Sequence, residues 1–183
     1  MLNKIISLLL LLLLSPIFIV VMFLIVVDDG FPIFFKQKRI GLNDSKFWIY
    51  KFRTMKNNTP DIPTHLLNDS RHTYTKSGPF LRKYSIDELP QFLNIFFGDM
   101  VFIGPRPALH NQNDLMLLRK KKGVDKIKPG ITGWAQVNGR DKISIEEKVE
   151  LDYYFLQNST LMLKIKIIYL SILRIINAEN VSQ

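Results

Sequence analysis

The sequence predicts an α/β-like protein in which short strands lie among helices docked on a membrane surface. Three observations predict it. Residues 5–27 form an uncharged apolar run long enough to enter a bilayer. Residues 33–35 and 47–52 are short, aromatic-rich segments of strand character. Further along, apolar residues recur at helical spacing. The 183-residue length suits one domain able to bury a core without metal or disulfide staples. Cysteine is absent, which excludes disulfides, thiolate catalysis and thiolate metal sites. His65, His72 and His110 stand far apart without ligand spacing, which argues against a histidine-based zinc site. The formal charge is +9, from 25 basic and 16 acidic side chains, and Lys4 alone among these lies in the first 27 residues. The basic remainder favours an anionic partner: nucleic acid, a phospholipid surface or a phosphorylated substrate.

At about 1.5 Å per residue, a straight helix over 5–27 would cover a hydrocarbon core of roughly 30 Å. A cleaved signal peptide is the alternative. However, the run exceeds the usual ~7–15 apolar residues and no small-residue cleavage site precedes Asp28, so the segment is expected to stay. Ser15 and Pro16 stand at its middle. Proline removes one helical hydrogen bond and kinks the helix, and the Ser15 hydroxyl is well placed for the freed carbonyl. Two geometries follow from these residues: a kinked spanning helix, or a chain turned back so that both ends emerge on one face. Lys36, Lys38 and Arg39 follow the run closely, which puts the downstream side in the cytoplasm.

The two strands flank a turn at residues 41–44, and residues 57–70, with Pro60 and Pro63, read as a loop. Leu89, Phe92, Leu93 and Phe96 predict an amphipathic helix ended by Gly98. Residues 111–122 predict another, whose basic end at 119–122 complements the helix dipole. Pro129-Gly130 and Asn138-Gly139 read as turns bracketing 131–137, and residues 145–156 as a helix. Residues 161–176 are apolar yet carry Lys164, Lys166 and Arg174. They either pack on the core or lie in the membrane interface with basic side chains snorkelling to lipid phosphates, and the interfacial arrangement is preferred.

The densest candidate for chemistry is Ser85-Ile86-Asp87-Glu88-Leu89-Pro90-Gln91. Ser85 and Glu88 have capping-box spacing, so the acids could simply start a helix. Pro90 argues against that register, because it would forfeit an amide bond beyond the first turn. With Asp87 as the N-cap, Pro90 falls in the first turn and both carboxylates sit at the helix's positive end, where phosphate is also attracted. Basic motifs surround it: Gln37-Lys38-Arg39-Ile40-Gly41, Lys51-Phe52-Arg53-Thr54-Met55, Arg82-Lys83, and Gly104-Pro105-Arg106-Pro107, whose prolines restrict the arginine's backbone. Such restriction lowers the entropy lost when a guanidinium engages phosphate. Most of these cations also read as ordinary solvated surface charge. The run from Gly133 to Arg140 adds Trp134, which suits a core, an interface or a base-stacking position.

In this order the motifs Lys51-Phe52-Arg53-Thr54-Met55, Asp87-Glu88-Leu89-Pro90-Gln91, Gly104-Pro105-Arg106-Pro107 and Lys128-Pro129-Gly130-Ile131-Thr132-Gly133-Trp134 resemble the bacterial sugar transferase family, the monotopic phosphoglycosyl transferases, in its minimal catalytic-core form. The resemblance covers about residues 3–176. It implies a re-entrant membrane helix broken at Ser15 and Pro16 within residues 1–27, and a cytoplasmic catalytic domain over 28–183 with interfacial helices, at the bacterial inner membrane. It also implies Asp87 as nucleophile, Glu88 as its partner associated with Mg²⁺, and Lys51, Arg53, Arg82, Arg106, Gln136 and Arg140 as phosphate or nucleotide contacts. The implied reaction moves a sugar phosphate from a UDP-sugar to a polyprenol phosphate, such as undecaprenyl phosphate, through a phosphosugar-aspartate with release of UMP. The expected partners are therefore donor, acceptor and membrane lipids, with a homodimer left open and no nucleic acid. Asn3 stands where the family carries an acid, and the basic pair expected before it falls ahead of Met1, so a shortened anchor or an upstream start is expected. A competing reading is a membrane-tethered basic adaptor without enzymatic activity, although no nucleic-acid motif is present and an adaptor has no need of the acidic pair.

Overall fold

Pro16 has no amide hydrogen to give to Leu12, and the apolar run divides there. In the computed structural model, which describes residues 1–57, 59, 73–139 and 143–177, helix α1 covers Leu2–Leu13 and α2 covers Ser15–Asp29. They meet at 61°, and no single helix among the described residues is long and apolar enough to cross a membrane. The Ser15 hydroxyl donates to the Leu12 carbonyl at 2.8 Å, replacing the bond that Pro16 removes. Leu9, Leu12, Leu13, Ile19, Val20, Phe23 and Val27 are exposed along the pair.

Both ends of this pair are tied to the rest of the chain. Near the start, Lys4 Nζ donates to the Phe97 carbonyl, and the buried Ser7 hydroxyl donates to the Phe92 carbonyl at 3.0 Å. At the other end, Asp28 Oδ2 accepts from the Ser77 amide and hydroxyl, while Arg53 holds the Asp29 and Gly30 carbonyls at 2.8 Å. Val21 and Ile25 of α2 share a core with Phe52 and Leu81. Phe52 stacks on Phe34 and meets Phe18 edge-on.

Strands β1 (Phe34–Ile40) and β2 (Lys46–Phe52) form the hairpin, antiparallel with Phe34 opposite Phe52 and Ile40 opposite Lys46. The first strand runs well past the expected 33–35. Lys36 and Lys38 share one exposed face of β1 and lie over the rings of Tyr50 and Trp48 across the pair. Helix α3 (Gly78–Lys83) leads to a 3-10 turn, Ile86–Glu88, and then to α4 (Gln91–Phe97), closed by Gly98 at φ 97°. The expected Asp87 N-cap is therefore corrected: Pro90 takes that position, and Asp87 lies one turn earlier. The backbone at Glu88, Leu89, Phe92 and Leu93 bonds three residues back, a tighter winding that accommodates the missing proline amide.

Strands β3 (Val101–Ile103) and β4 (Gly130–Thr132) pair in parallel, so Gly130 belongs to a strand rather than to the expected turn. Helices α5 (Asn113–Lys121), α6 (Trp134–Asn138), α7 (Ile145–Gln157) and α8 (Leu161–Ile176) complete the order. Ser144 and Glu147 form a reciprocal capping box at the start of α7. Helix α8 uses both of its apolar faces. Ile167, Leu163 and Leu170 pack with Val137 and Phe155, while Leu161, Met162, Ile165, Ile168, Tyr169 and Ile172 are exposed. Of the loop expected over 57–70, only Asn57 and Thr59 fall among the described residues.

Asn94 ties α4 to the hairpin. Its side chain is fully buried, accepting from the Tyr50 amide at 3.1 Å and donating to the Trp48 carbonyl at 2.7 Å. Asn94→Ala removes both bonds and strands two backbone groups, so chemical denaturation should show a loss of about 2–4 kcal/mol. An unchanged denaturation midpoint would contradict this bracing role.

Candidate active site

Ser85 adopts φ 55°, a left-handed conformation that turns the chain sharply out of α3 into the 3-10 turn. Ile86 and Leu89 then pack against the core of Val21, Ile25, Phe52 and Leu81. The acids between them, Asp87 and Glu88, meet Lys51 of β2. Lys51 Nζ bonds Glu88 Oε1 at 2.7 Å and lies 3.9 Å from Asp87 Oδ2. Arg106 Nη1 approaches the same Glu88 oxygen at 3.7 Å. Side-chain exposure rises from 8% at Asp87 through 12% at Glu88 and 17% at Lys51 to 27% at Arg106, so the acids lie deepest and the arginine faces outward.

Burial pushes the Lys51 ammonium below the usual lysine range. Glu88 and then Asp87 oppose that shift, and Arg106 reinforces it. Two carboxylates and two cations thus share a partly dry site. An anionic ligand would meet Lys51 and Arg106, and the carboxylates supply anionic oxygen beside it. Gln91, one turn after Asp87, is buried, and its Nε2 has no hydrogen-bond partner among the described residues.

Arg106 is presented by a segment built on glycine contacts. A Cβ on Gly104 would strike the Lys128 carbonyl, one on Gly130 the Gly104 amide, and one on Gly133 the Gly104 carbonyl. The Gly104 amide donates to the Thr132 carbonyl at 2.8 Å and the Gly130 amide to the Pro105 carbonyl at 2.9 Å. Backbone-to-backbone approach this close requires glycine, which explains why the two glycine-proline motifs occur together.

The other predicted residues lie elsewhere. Arg53 is buried and its guanidinium serves the end of α2, contacting Asp29 Oδ2 at 3.2 Å, the carbonyls of Asp29 and Gly30, and Asn57. Arg82 donates to the Tyr74 hydroxyl at 2.7 Å and lies over the same ring. Gln136 Nε2 donates to the Ile131 carbonyl at 2.7 Å, and the Gln136 backbone carbonyl accepts from Arg174 Nη1. Arg140 lies outside the described residues.

Sequence reading passed over Arg119 and Asp152. The basic end at 119–122 suggests a role at the dipole of α5, yet Arg119 is buried and bonds Asp152 Oδ2 through Nε at 3.0 Å and Nη2 at 2.6 Å. A signal was present. Asp152 falls at helical spacing between Val149 and Phe155, and an acid on an apolar face needs a buried partner.

A sequence profile described as bacterial sugar transferase matches residues 1–178. An uncharacterized sugar transferase, EpsL of Bacillus subtilis, is 45% identical over 154 residues, 84% of this chain and 75% of that protein. The UDP-glucose:undecaprenyl-phosphate glucose-1-phosphate transferase of Escherichia coli is 38% identical over 152 residues, 78% of this chain and 32% of its own. A UDP-N-acetylgalactosamine-undecaprenyl-phosphate N-acetylgalactosaminephosphotransferase of Aeromonas hydrophila is 36% identical over 146 residues, 77% of this chain and 34% of that protein. The chain thus spans about three quarters of the Bacillus relative and about one third of the other two.

Proposed function

The chain belongs to the bacterial sugar transferase family, and from that premise we propose that it moves a sugar phosphate from a UDP-sugar to a polyprenol phosphate. The observation that carries this reading is the acidic pair held between Lys51 and Arg106, on a turn whose flanking residues, Ile86 and Leu89, pack against the core cluster that includes Val21 and Ile25 of the apolar helix α2. Aqueous donor and lipid acceptor would meet there.

Asp87 attacks the phosphorus that bears the sugar. A P–O bond to its carboxylate forms, the bond to the bridging oxygen breaks, and UMP leaves with that oxygen. An oxygen of the polyprenol phosphate then attacks the same phosphorus and expels the Asp87 carboxylate, giving a lipid diphosphate-sugar. Dividing the transfer in this way lets two substrates from different phases react in turn. Lys51 and Arg106 lower the repulsion between an anionic nucleophile and an anionic diphosphate. Lys51 also keeps Glu88 turned toward the reacting centre.

The residues present suit Mg²⁺, which binds through one or two carboxylates together with substrate phosphates. Asp87 and Glu88 are adjacent carboxylates of that kind, and no group of three or more acids or histidines suited to a metal occurs among the described residues. Glu88 would hold the ion with oxygens of the diphosphate, where its charge would offset the phosphate charge.

The chain sits on the cytoplasmic face of the bacterial inner membrane, with residues 1–27 as a re-entrant element and 28–183 as the catalytic domain. Supporting this are the 61° bend, the exposed apolar residues of α1 and α2, and the anchoring of both ends of the pair to one domain. A spanning helix would part those ends across the bilayer. Incubation with a panel of UDP-sugars and undecaprenyl phosphate should give UMP release that requires Mg²⁺. Membrane association with no release from any donor would support the adaptor reading instead.

A further inference from the structure

The carbonyls of residues 105–108 are each taken by a donor from another part of the chain. Pro105 accepts from the Gly130 amide at 2.9 Å, and Arg106 from Arg119 Nη1 at 2.9 Å. Pro107 accepts from Arg39 Nη1 at 3.1 Å, and Ala108 from the Ile40 amide at 3.0 Å. Pro105 and Pro107 have no amide hydrogen, so this segment depends on its carbonyls for anchorage. The anchor at Arg106 is itself braced by a further residue. Arg119 on α5 is buried, and Asp152 on α7, 1% exposed, accepts from both its Nε and its Nη2.

A buried ion pair contributes little stability of its own, because desolvation offsets the attraction. Burial indeed pushes the Asp152 carboxyl upward, against the pull of Arg119. The third bond of Arg119 is the informative one. A planar guanidinium fixed along one edge presents its remaining nitrogen in a defined direction, which a lysine ammonium cannot do. Here that nitrogen meets the backbone of the residue whose side chain reaches Glu88.

We propose that Asp152 and Arg119 are positioning residues for the transfer: Asp152 orients Arg119, and Arg119 holds the Arg106 backbone so that its guanidinium stays at Glu88. The proposal rests on the reading of Asp87 and Glu88 as the reacting pair. The relay ties the site to the junction of α5 and α7 behind it.

The test is a double-variant cycle on the full chain in lipid nanodiscs, read as UMP release. Arg119→Lys and Asp152→Asn should each lower kcat/KM by about 10- to 100-fold, the scale of small misplacements. They should move kcat and KM in the same proportion as Arg106→Lys does. In an Arg106→Lys background, either change should cost less than about threefold further, because coupled residues are not additive. Fully additive losses in an active enzyme would overturn the proposal and leave the pair a purely structural role. Should Arg119→Lys fail to fold, the nearly isosteric Asp152→Asn carries the same cycle. Wild-type protein that releases no UMP from any donor would instead overturn the transfer reading, and the proposal with it.

Discussion

Asp87→Asn should abolish sugar-phosphate transfer, lowering turnover by at least about 10³-fold, as expected when a covalent nucleophile is removed. The substitution changes one oxygen to an amide nitrogen and preserves the shape of a buried side chain. Ile86 and Leu89 still hold the turn in the core, and Lys51 keeps its shorter contact with Glu88. Membrane association and thermal midpoint should therefore stay near the wild-type values. Substantial turnover in this variant would remove Asp87 from the role of nucleophile. A lost fold with lost activity would show that the carboxylate holds the turn itself.

Lys51→Met should lower turnover by about 10²- to 10³-fold, the range for removing one charge-stabilising donor from an active site. It leaves Glu88 with Arg106 at 3.7 Å in place of an ammonium at 2.7 Å. The effect should also depend on pH. Because burial lowers the Lys51 pKa, the ammonium is present below that shifted value and is lost as pH rises through it, earlier than for an exposed lysine. Wild-type activity should therefore decline on the alkaline side. Lys51→Arg, which stays protonated, should retain part of the activity and move the decline to higher pH. Coincident alkaline limbs in the two proteins would exclude Lys51 as the titrating group.

The sequence made some of this site legible and hid the rest, for physical reasons. Asp87, Glu88, Lys51 and Arg106 stand in short motifs of charged residues beside glycine, proline or aromatic residues, and the structure brings these four together. Arg53, in the same motif as Lys51, is engaged at Asp29 and Gly30: β2 ends at Phe52, so the period of two that would put residues 51 and 53 on one face no longer applies at Arg53. Ser15 and Pro16 were readable because a missing amide has a local remedy only one residue away. The Asp87 register was misjudged because the turn winds as a 3-10 segment, which period-based reading cannot separate from the first turn of an α-helix. Long-range ties were the least visible. Asn94 and Arg119 bond partners more than 30 residues away in the case of Trp48 and Asp152, and polar side chains inside helical runs look like solvated positions until their partners are known.

The most direct test of the central claim is to trap the phosphosugar on the protein. Full-length chain incubated with UDP-sugar and Mg²⁺, without polyprenol phosphate, and quenched under conditions that preserve acyl phosphates should gain one sugar phosphate on the peptide that contains Asp87. The adduct should disappear on adding acceptor and be absent from Asp87→Asn. An enzyme that transfers sugar phosphate to lipid yet carries no adduct at Asp87 under these conditions would contradict the two-step mechanism.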